Sequence, residues 1–181
     1  MGEKLLFLFV ATLIMFSSFA QSKDQSAPQS NPGLELSFGV DGGVPIGNFA
    51  VGWNIGVGGT AKFAYNVDKT FAVTLESGYM TFLGKTIIEE DYKAPAINFI
   101  PIKAGFRYTF NDRIFYLEPQ LGVSDASTSG ASSVDFTYAI NAGYRIVPGV
   151  DVSARYEAVS KTGTVSFIGL RFAYGFALGK K

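Results

Sequence analysis

The chain has 181 residues, a length that suits one domain, and its fifteen basic and fifteen acidic residues cancel. That balance gives no electrostatic footing for a nucleic-acid or other polyanionic partner. There is no Cys and no His, so disulfide support is excluded. Aromatics at 15% and 21 glycines suit closely packed strands better than helices.

Residues 1–20 have the layout of a secretory signal: Lys4 supplies the positive charge, Leu5 to Phe16 the apolar run, and Ser18-Phe19-Ala20 the small-x-small pattern. Cleavage is predicted after Ala20. The apolar run is well short of the roughly 20 residues a spanning helix needs, and no Cys follows it, so a lipid-modified mature N-terminus is not expected. Gln21 to Gly33, QSKDQSAPQSNPG, has no large apolar side chain to offset its ordering entropy and is predicted to be a flexible tether.

From Leu34 onward the hydrophobic period is two, the signature of strands. Strand one, Leu34 to Gly43, alternates Leu34, Leu36, Phe38 and Val40 with Glu35, Ser37, Gly39 and Asp41, and Val44 to Phe49 is predicted to be a loop. Strand two, Trp53 to Tyr65, sets Trp53, Ile55, Val57, Ala61, Phe63 and Tyr65 against a face that includes Lys62. Strand three, Phe71 to Phe82, sets Phe71, Val73, Leu75 and Tyr79 against Thr74, Glu76 and Gly78. A long loop, Leu83 to Ala96, with the acidic run Glu89-Glu90-Asp91, follows it. Strand four, Ile100 to Phe110, opposes Ile100, Ile102, Ala104, Phe106 and Tyr108 to Lys103, Gly105, Arg107 and Thr109.

After the turn Asn111-Asp112-Arg113, strand five, Ile114 to Val123, opposes Phe115, Leu117, Leu121 and Val123 to Tyr116, Glu118, Gln120 and Gly122. Ser124 to Ser133 is small and polar, and is predicted to be a mobile loop tip. Strand six, Asp135 to Ile146, alternates Phe136, Tyr138, Ile140, Ala142, Tyr144 and Ile146 with Asp135, Thr137, Asn141 and Arg145. Val147-Pro148-Gly149 turns into strand seven, Val150 to Ala158, where Val152, Ala154 and Tyr156 oppose Asp151, Ser153, Arg155 and Glu157. Past a loop at Val159 to Thr164, the last strand places Ile168, Leu170, Phe172, Tyr174, Phe176 and Leu178 on one face and Arg171 on the other.

Eight period-two strands from Leu34 to Leu178, behind a secretory leader, resemble the small eight-stranded bacterial outer-membrane barrels of the OmpA and OmpX transmembrane type. The resemblance implies an all-β, eight-stranded antiparallel up-and-down transmembrane β-barrel over residues 34–178, with both termini on the periplasmic side. The predicted connections alternate short and long, as in that class. The closing Leu170, Phe172, Tyr174 and Phe176 resemble the C-terminal assembly signal read by the barrel assembly machinery. The other partners implied are outer-membrane lipid and lipopolysaccharide, and the chain is expected to be monomeric.

Charge decides which face meets lipid. A Lys or Arg at the bilayer midplane of a barrel costs about 2–4 kcal/mol, so Lys103 and Arg107 must point inward and the apolar faces outward. Aromatics then gather at two depths: Tyr65, Phe71, Tyr108, Phe115, Tyr144, Tyr174 and Phe176 near the short turns, and Trp53, Tyr79, Tyr138 and Tyr156 near the long loops. The inward face holds the acids Glu35, Asp41, Glu76, Glu118, Asp135, Asp151 and Glu157 and the bases Lys62, Lys103, Arg107, Arg145, Arg155 and Arg171. An eight-stranded barrel is narrow enough to be filled by side chains, and buried charges are tolerable only when paired. The lumen is therefore predicted to be plugged by ion pairs, with Arg107 opposite Glu118, Arg145 opposite Asp151 and Asn141 opposite Arg155.

No catalytic, cofactor-binding or metal-binding residue is assigned. Enzymes of the outer-membrane barrel class rely on a catalytic His that this chain lacks, and the Gly-rich stretch 51–59 is followed by no GK[ST] to make a phosphate loop. Phe49 and Tyr92 are the aromatic loop residues expected to be available to a partner. The expected function is a non-enzymatic structural or loop-interacting membrane barrel. The alternatives are a narrow pore or, third, a secreted lipocalin-like binder, whose interior should be apolar rather than charged.

Overall fold

The computed structural model describes residues 33–87, 92–110, 114–160 and 163–178. The expected leader, almost all of the tether and the run Glu89-Glu90-Asp91 lie outside them, as does the side chain of Tyr92.

Eight long strands form the wall: β1 (Gly33–Ile46), β2 (Trp53–Asn66), β3 (Phe71–Gly84), β4 (Ile97–Phe110), β5 (Phe115–Thr128), β6 (Ala131–Val147), β7 (Val150–Ser160) and β8 (Thr164–Ala177). Each pairs antiparallel with its neighbours in sequence, and β8 pairs with β1 from Glu35↔Ala177 to Ile46↔Ser166, closing the barrel. This is the up-and-down eight-stranded architecture expected. Following Cα partners from Leu36 through Phe63, Leu75, Ala104, Leu121, Tyr138, Ala158 and Ser166 leads back to β1 at Ile46 instead of Leu36. The strands therefore tilt, and tilt with stagger sets a cross-section that side chains can fill.

Alternation assigns the faces as charge required. Phe38, Val57, Leu75, Ile102, Leu121, Ile140 and Phe172 are exposed on the outer wall, whereas Lys62, Glu76, Lys103 and Glu118 on neighbouring strands are buried inside. At the end carrying the chain termini the exposed aromatics touch: Phe71 stacks edge-on to Tyr108, Tyr108 to Phe110, and Tyr174 to Phe176. At that end the β2–β3 turn is fixed by Asp68, whose Oδ1 accepts from the backbone N–H of Thr70 at 2.6 Å and of Phe71 at 2.8 Å. Those two bonds hold the Asp68 carboxyl below the usual carboxylate range.

The opposite, loop end departs most from expectation. Val44–Ile46 continues β1 instead of looping: it pairs with β8 only, the β2 ladder having stopped at Gly43↔Gly56. Pro45 is tolerated there because one side needs no ladder bond. Leu83 and Gly84 finish β3, Ile97 starts β4, and a two-residue ladder joins Thr86–Ile87 to Tyr92–Lys93 in between. The expected mobile tip Ser124–Ser133 is strand on both sides of a two-residue turn at Ser129 (φ 47°) and Gly130 (φ 83°). Two successive positive φ values match the turn that joins twisted antiparallel strands most tightly. Val159 and Ser160 likewise belong to β7. The alternation of short and long connections therefore fails at β5–β6 and β7–β8, where the strands run on above the apolar belt.

Candidate functional site

Among the described residues, chemically active side chains converge in the lumen, and it has two layers. Nearer the termini and through the middle it is ionic. Glu76 on β3 lies 3.0 Å from Lys62 Nζ, 3.2 Å from Lys103 Nζ and 2.8 Å from Arg155 Nη2. Glu118 on β5 lies 2.7 Å from Lys62 Nζ and accepts from Arg107 Nε at 2.7 Å and Gln120 Nε2 at 2.8 Å. Lys103 also donates to Glu157, and Arg155 Nε donates to Asn141 Oδ1 at 2.8 Å, fixing the guanidinium plane. All these side chains are buried.

Toward the termini, Arg145 Nη2 donates to Glu35 Oε2 at 3.2 Å, and Tyr116 donates its hydroxyl to Asp151 Oδ1 at 2.8 Å while Arg107 lies over its ring at 4.5 Å. On the β1–β2 side, Arg171 Nε donates to Thr60 Oγ1, which donates to Asp41 Oδ2 at 2.9 Å. The network thus contains six acids (Glu35, Asp41, Glu76, Glu118, Asp151, Glu157) and six bases (Lys62, Lys103, Arg107, Arg145, Arg155, Arg171).

Two sequence assignments need correction. Asp135 is not one of these acids: it sits at the loop end and accepts from Ser133 Oγ at 2.7 Å. Its removal turns the expected excess of one acid into balance. Arg145 is the Cα partner of Asp151 on the ladder, yet its guanidinium turns to Glu35, across the β8–β1 seam. Asp151 is held instead by Tyr116 and, at 3.8 Å, by Arg171. Tyr116 was on the inward face by alternation, but nothing in the sequence marked it as a hydrogen-bond donor to a residue 35 positions away. Its space comes from Gly143, where a Cβ would lie 2.1 Å from the Tyr116 ring.

The second layer is apolar and closes the loop end. Phe49, Met80, Phe82, Ile97, Phe99, Ala126, Val159 and Phe167 pack as one cluster, flanked by Trp53 and Val165. Phe82 is central, with ring centroids 5.0 Å from both Phe49 and Phe167 and 5.9 Å from Phe99. A helical turn, α1 (Phe49–Gly52), carries Phe49 into this cluster. Phe49 is 1% exposed, so it is a plug residue and not the docking residue expected. Trp53, expected on the lipid face, is turned by a register shift between Trp53 and Gly56; it packs against Phe49 and donates Nε1–H to Pro95 O at 3.1 Å. Lys85 clamps α1 with Nζ on Ala50 O at 2.6 Å and its backbone N–H on Gly52 O.

With this geometry in place, comparison with known proteins is informative. The profile of the outer membrane protein beta-barrel domain matches residues 8–176. The chain belongs to this family. Among solved outer-membrane barrels, Ail, the attachment invasion locus protein of Yersinia pestis, superposes with a TM-score of 0.56 at 16% identity, covering 79% of this chain and 97% of Ail, in a complex with the heparin analogue sucrose octasulfate. Neisserial surface protein A gives 0.53 at 17% identity over 79% of this chain and 97% of its own. The N-terminal β-barrel domain of Pseudomonas aeruginosa OprF gives 0.54 at 14% over 78% and 97%. At these identities the likeness is one of fold. No curated protein sequence matches the chain significantly.

Proposed function

We propose that the protein is a non-enzymatic integral barrel of the bacterial outer membrane, exported behind residues 1–20, that acts as a closed scaffold presenting its loop end for structural or loop-mediated contacts. The observation that carries this reading is the inverted wall: apolar residues outward between aromatic levels, twelve paired ionisable side chains inward. A soluble carrier barrel requires the opposite arrangement. The carboxylates at the centre of the lumen all face cations, so they serve as structural partners and not as free general bases. Lipid and lipopolysaccharide meet the belt. The termini end, with its short turns, faces the periplasm, and β8 gives the assembly machinery its closing strand.

Cell fractionation with a heat-modifiability gel tests the reading. The band should be found in the outer membrane and shift on boiling; a soluble, unshifted periplasmic band overturns it. Conductance of the purified barrel in planar bilayers should stay at background, and discrete steps would favour a pore instead. Deleting Phe172 to Leu178 removes every β8 partner of Leu36 to Val40, leaving sheet edges in hydrocarbon. That truncation should give no heat-modifiable band, and normal insertion would refute the role given to β8.

A further inference from the structure

The ionic layer and the apolar cap meet at a small cavity of about 10 Å³, lined by Asp41, Thr60, Arg155 and Glu157 from the first and by Met80, Phe99 and Phe167 from the second. We infer that this junction is a binding site for one ordered water molecule, which ties Arg155 to Asp41 and Glu157.

The bond lengths around Arg155 differ by face. Its Nε reaches Asn141 at 2.8 Å and its Nη2 reaches Glu76 at 2.8 Å, both direct bonds. Its Nη1 makes only a long bond, 3.4 Å, to Glu157 Oε2 and stands 3.6 Å from Asp41 Oδ1, beyond direct bonding. Direct charge-assisted bonds of this type are about 2.7–2.9 Å long, and a polar contact beyond about 3.5 Å calls for a check on whether a water bridges it. Arg155, Asp41 and Glu157 all line the cavity, so one water there accepts from the guanidinium and donates to the two acids. The cavity is at the lower limit of the roughly 10–15 Å³ that a water needs, and its polar lining supplies the two to four partners a buried water makes.

Charge selects the occupant. A cation at this point would lie against Arg155, and an anion against Asp41 and Glu157; a neutral molecule with two donors and an acceptor suits all three. The space admits nothing larger.

High-resolution crystallography of the refolded, full barrel is the first test. A single density peak within about 3.2 Å of at least two of Arg155 Nη1, Asp41, Glu157 and Thr60 supports the site. No peak, direct closure of Nη1 onto both carboxylates, or a peak with the five or more oxygen ligands at about 2.3–2.6 Å that mark a metal ion would each overturn it. A second test in lipid nanodiscs uses ¹⁵N-labelled arginine. Water-to-guanidinium cross-relaxation should be seen for Arg155 and lost in Asp41→Glu, whose extra methylene fills the cavity and shortens the Nη1–carboxylate distance below about 3.0 Å. Retention of the cross-peak in a folded Asp41→Glu barrel, or its absence in the native one, counts against the proposal.

Discussion

The two layers of the lumen solve one problem, filling a narrow barrel, by opposite means. In the ionic layer Glu76 has three cationic partners, Lys62, Lys103 and Arg155, so its contribution exists only while the whole set is present. In the cap, Phe82 touches rings from three directions, and each contact is separately small and non-directional. Charge is therefore specific and brittle, while aromatic packing is graded and tolerant. The contrast predicts how each layer fails.

The largest loss is expected from Glu76→Ala, which removes the one acid shared by three buried cations. Breaking a buried pair by removing one partner costs about 3–5 kcal/mol, and urea unfolding of the barrel in lipid vesicles should show it. Phe82→Ala should cost about 3 kcal/mol, toward the low end for a buried Phe, because the surrounding rings and Met80 can partly close the gap. Phe49→Ala should cost on the order of 1–2 kcal/mol, since a four-residue turn can detach locally without opening the wall. The only Trp, Trp53, packs against Phe49. Its fluorescence should therefore change before the heat-modifiability transition in Phe49→Ala, and coincident transitions would mean that the cap is not separable. The smallest effect is a coupling: Glu76→Ala and Phe82→Ala lie six residues apart on β3 and share no partner, so their costs should add within about 0.5 kcal/mol. A larger coupling would show that the layers act as one.

Legibility followed the same division. Strand count, order and the outward faces were readable because Lys103 and Arg107 on one side of β4, and Ile102 and Phe106 on the other, leave a single acceptable orientation in a bilayer. The pairing of Arg107 with Glu118 also follows from a short turn. The partners across the lumen did not, because Arg145 to Glu35 and Tyr116 to Asp151 depend on the curvature of the closed wall, which no single hairpin contains. The cap was hidden for a different reason. Phe82, Phe99 and Phe167 have the inward parity of the charges, yet Phe82 and Phe167 stand at the ends of expected strands and Phe99 just outside one, where too little alternation is left to mark an inward layer. The Ser/Ala-rich rise of β5 and β6 was likewise invisible, since small residues in water need no apolar alternation to form a ladder.

The seam between β1 and β8 has a kinetic consequence. Glu35 faces Ala177 across it, so the pairing that completes the ring joins the first described residues to the last. Contacts this distant in sequence are slow to form, because the loop-closure entropy of nearly the whole barrel must be met before any of them is gained. Until then the chain carries its full lipid-facing belt without a lipid to face. Under the export proposed above, a precursor of this kind has a long aggregation-exposed lifetime, and its topology would call for escort through the aqueous compartment.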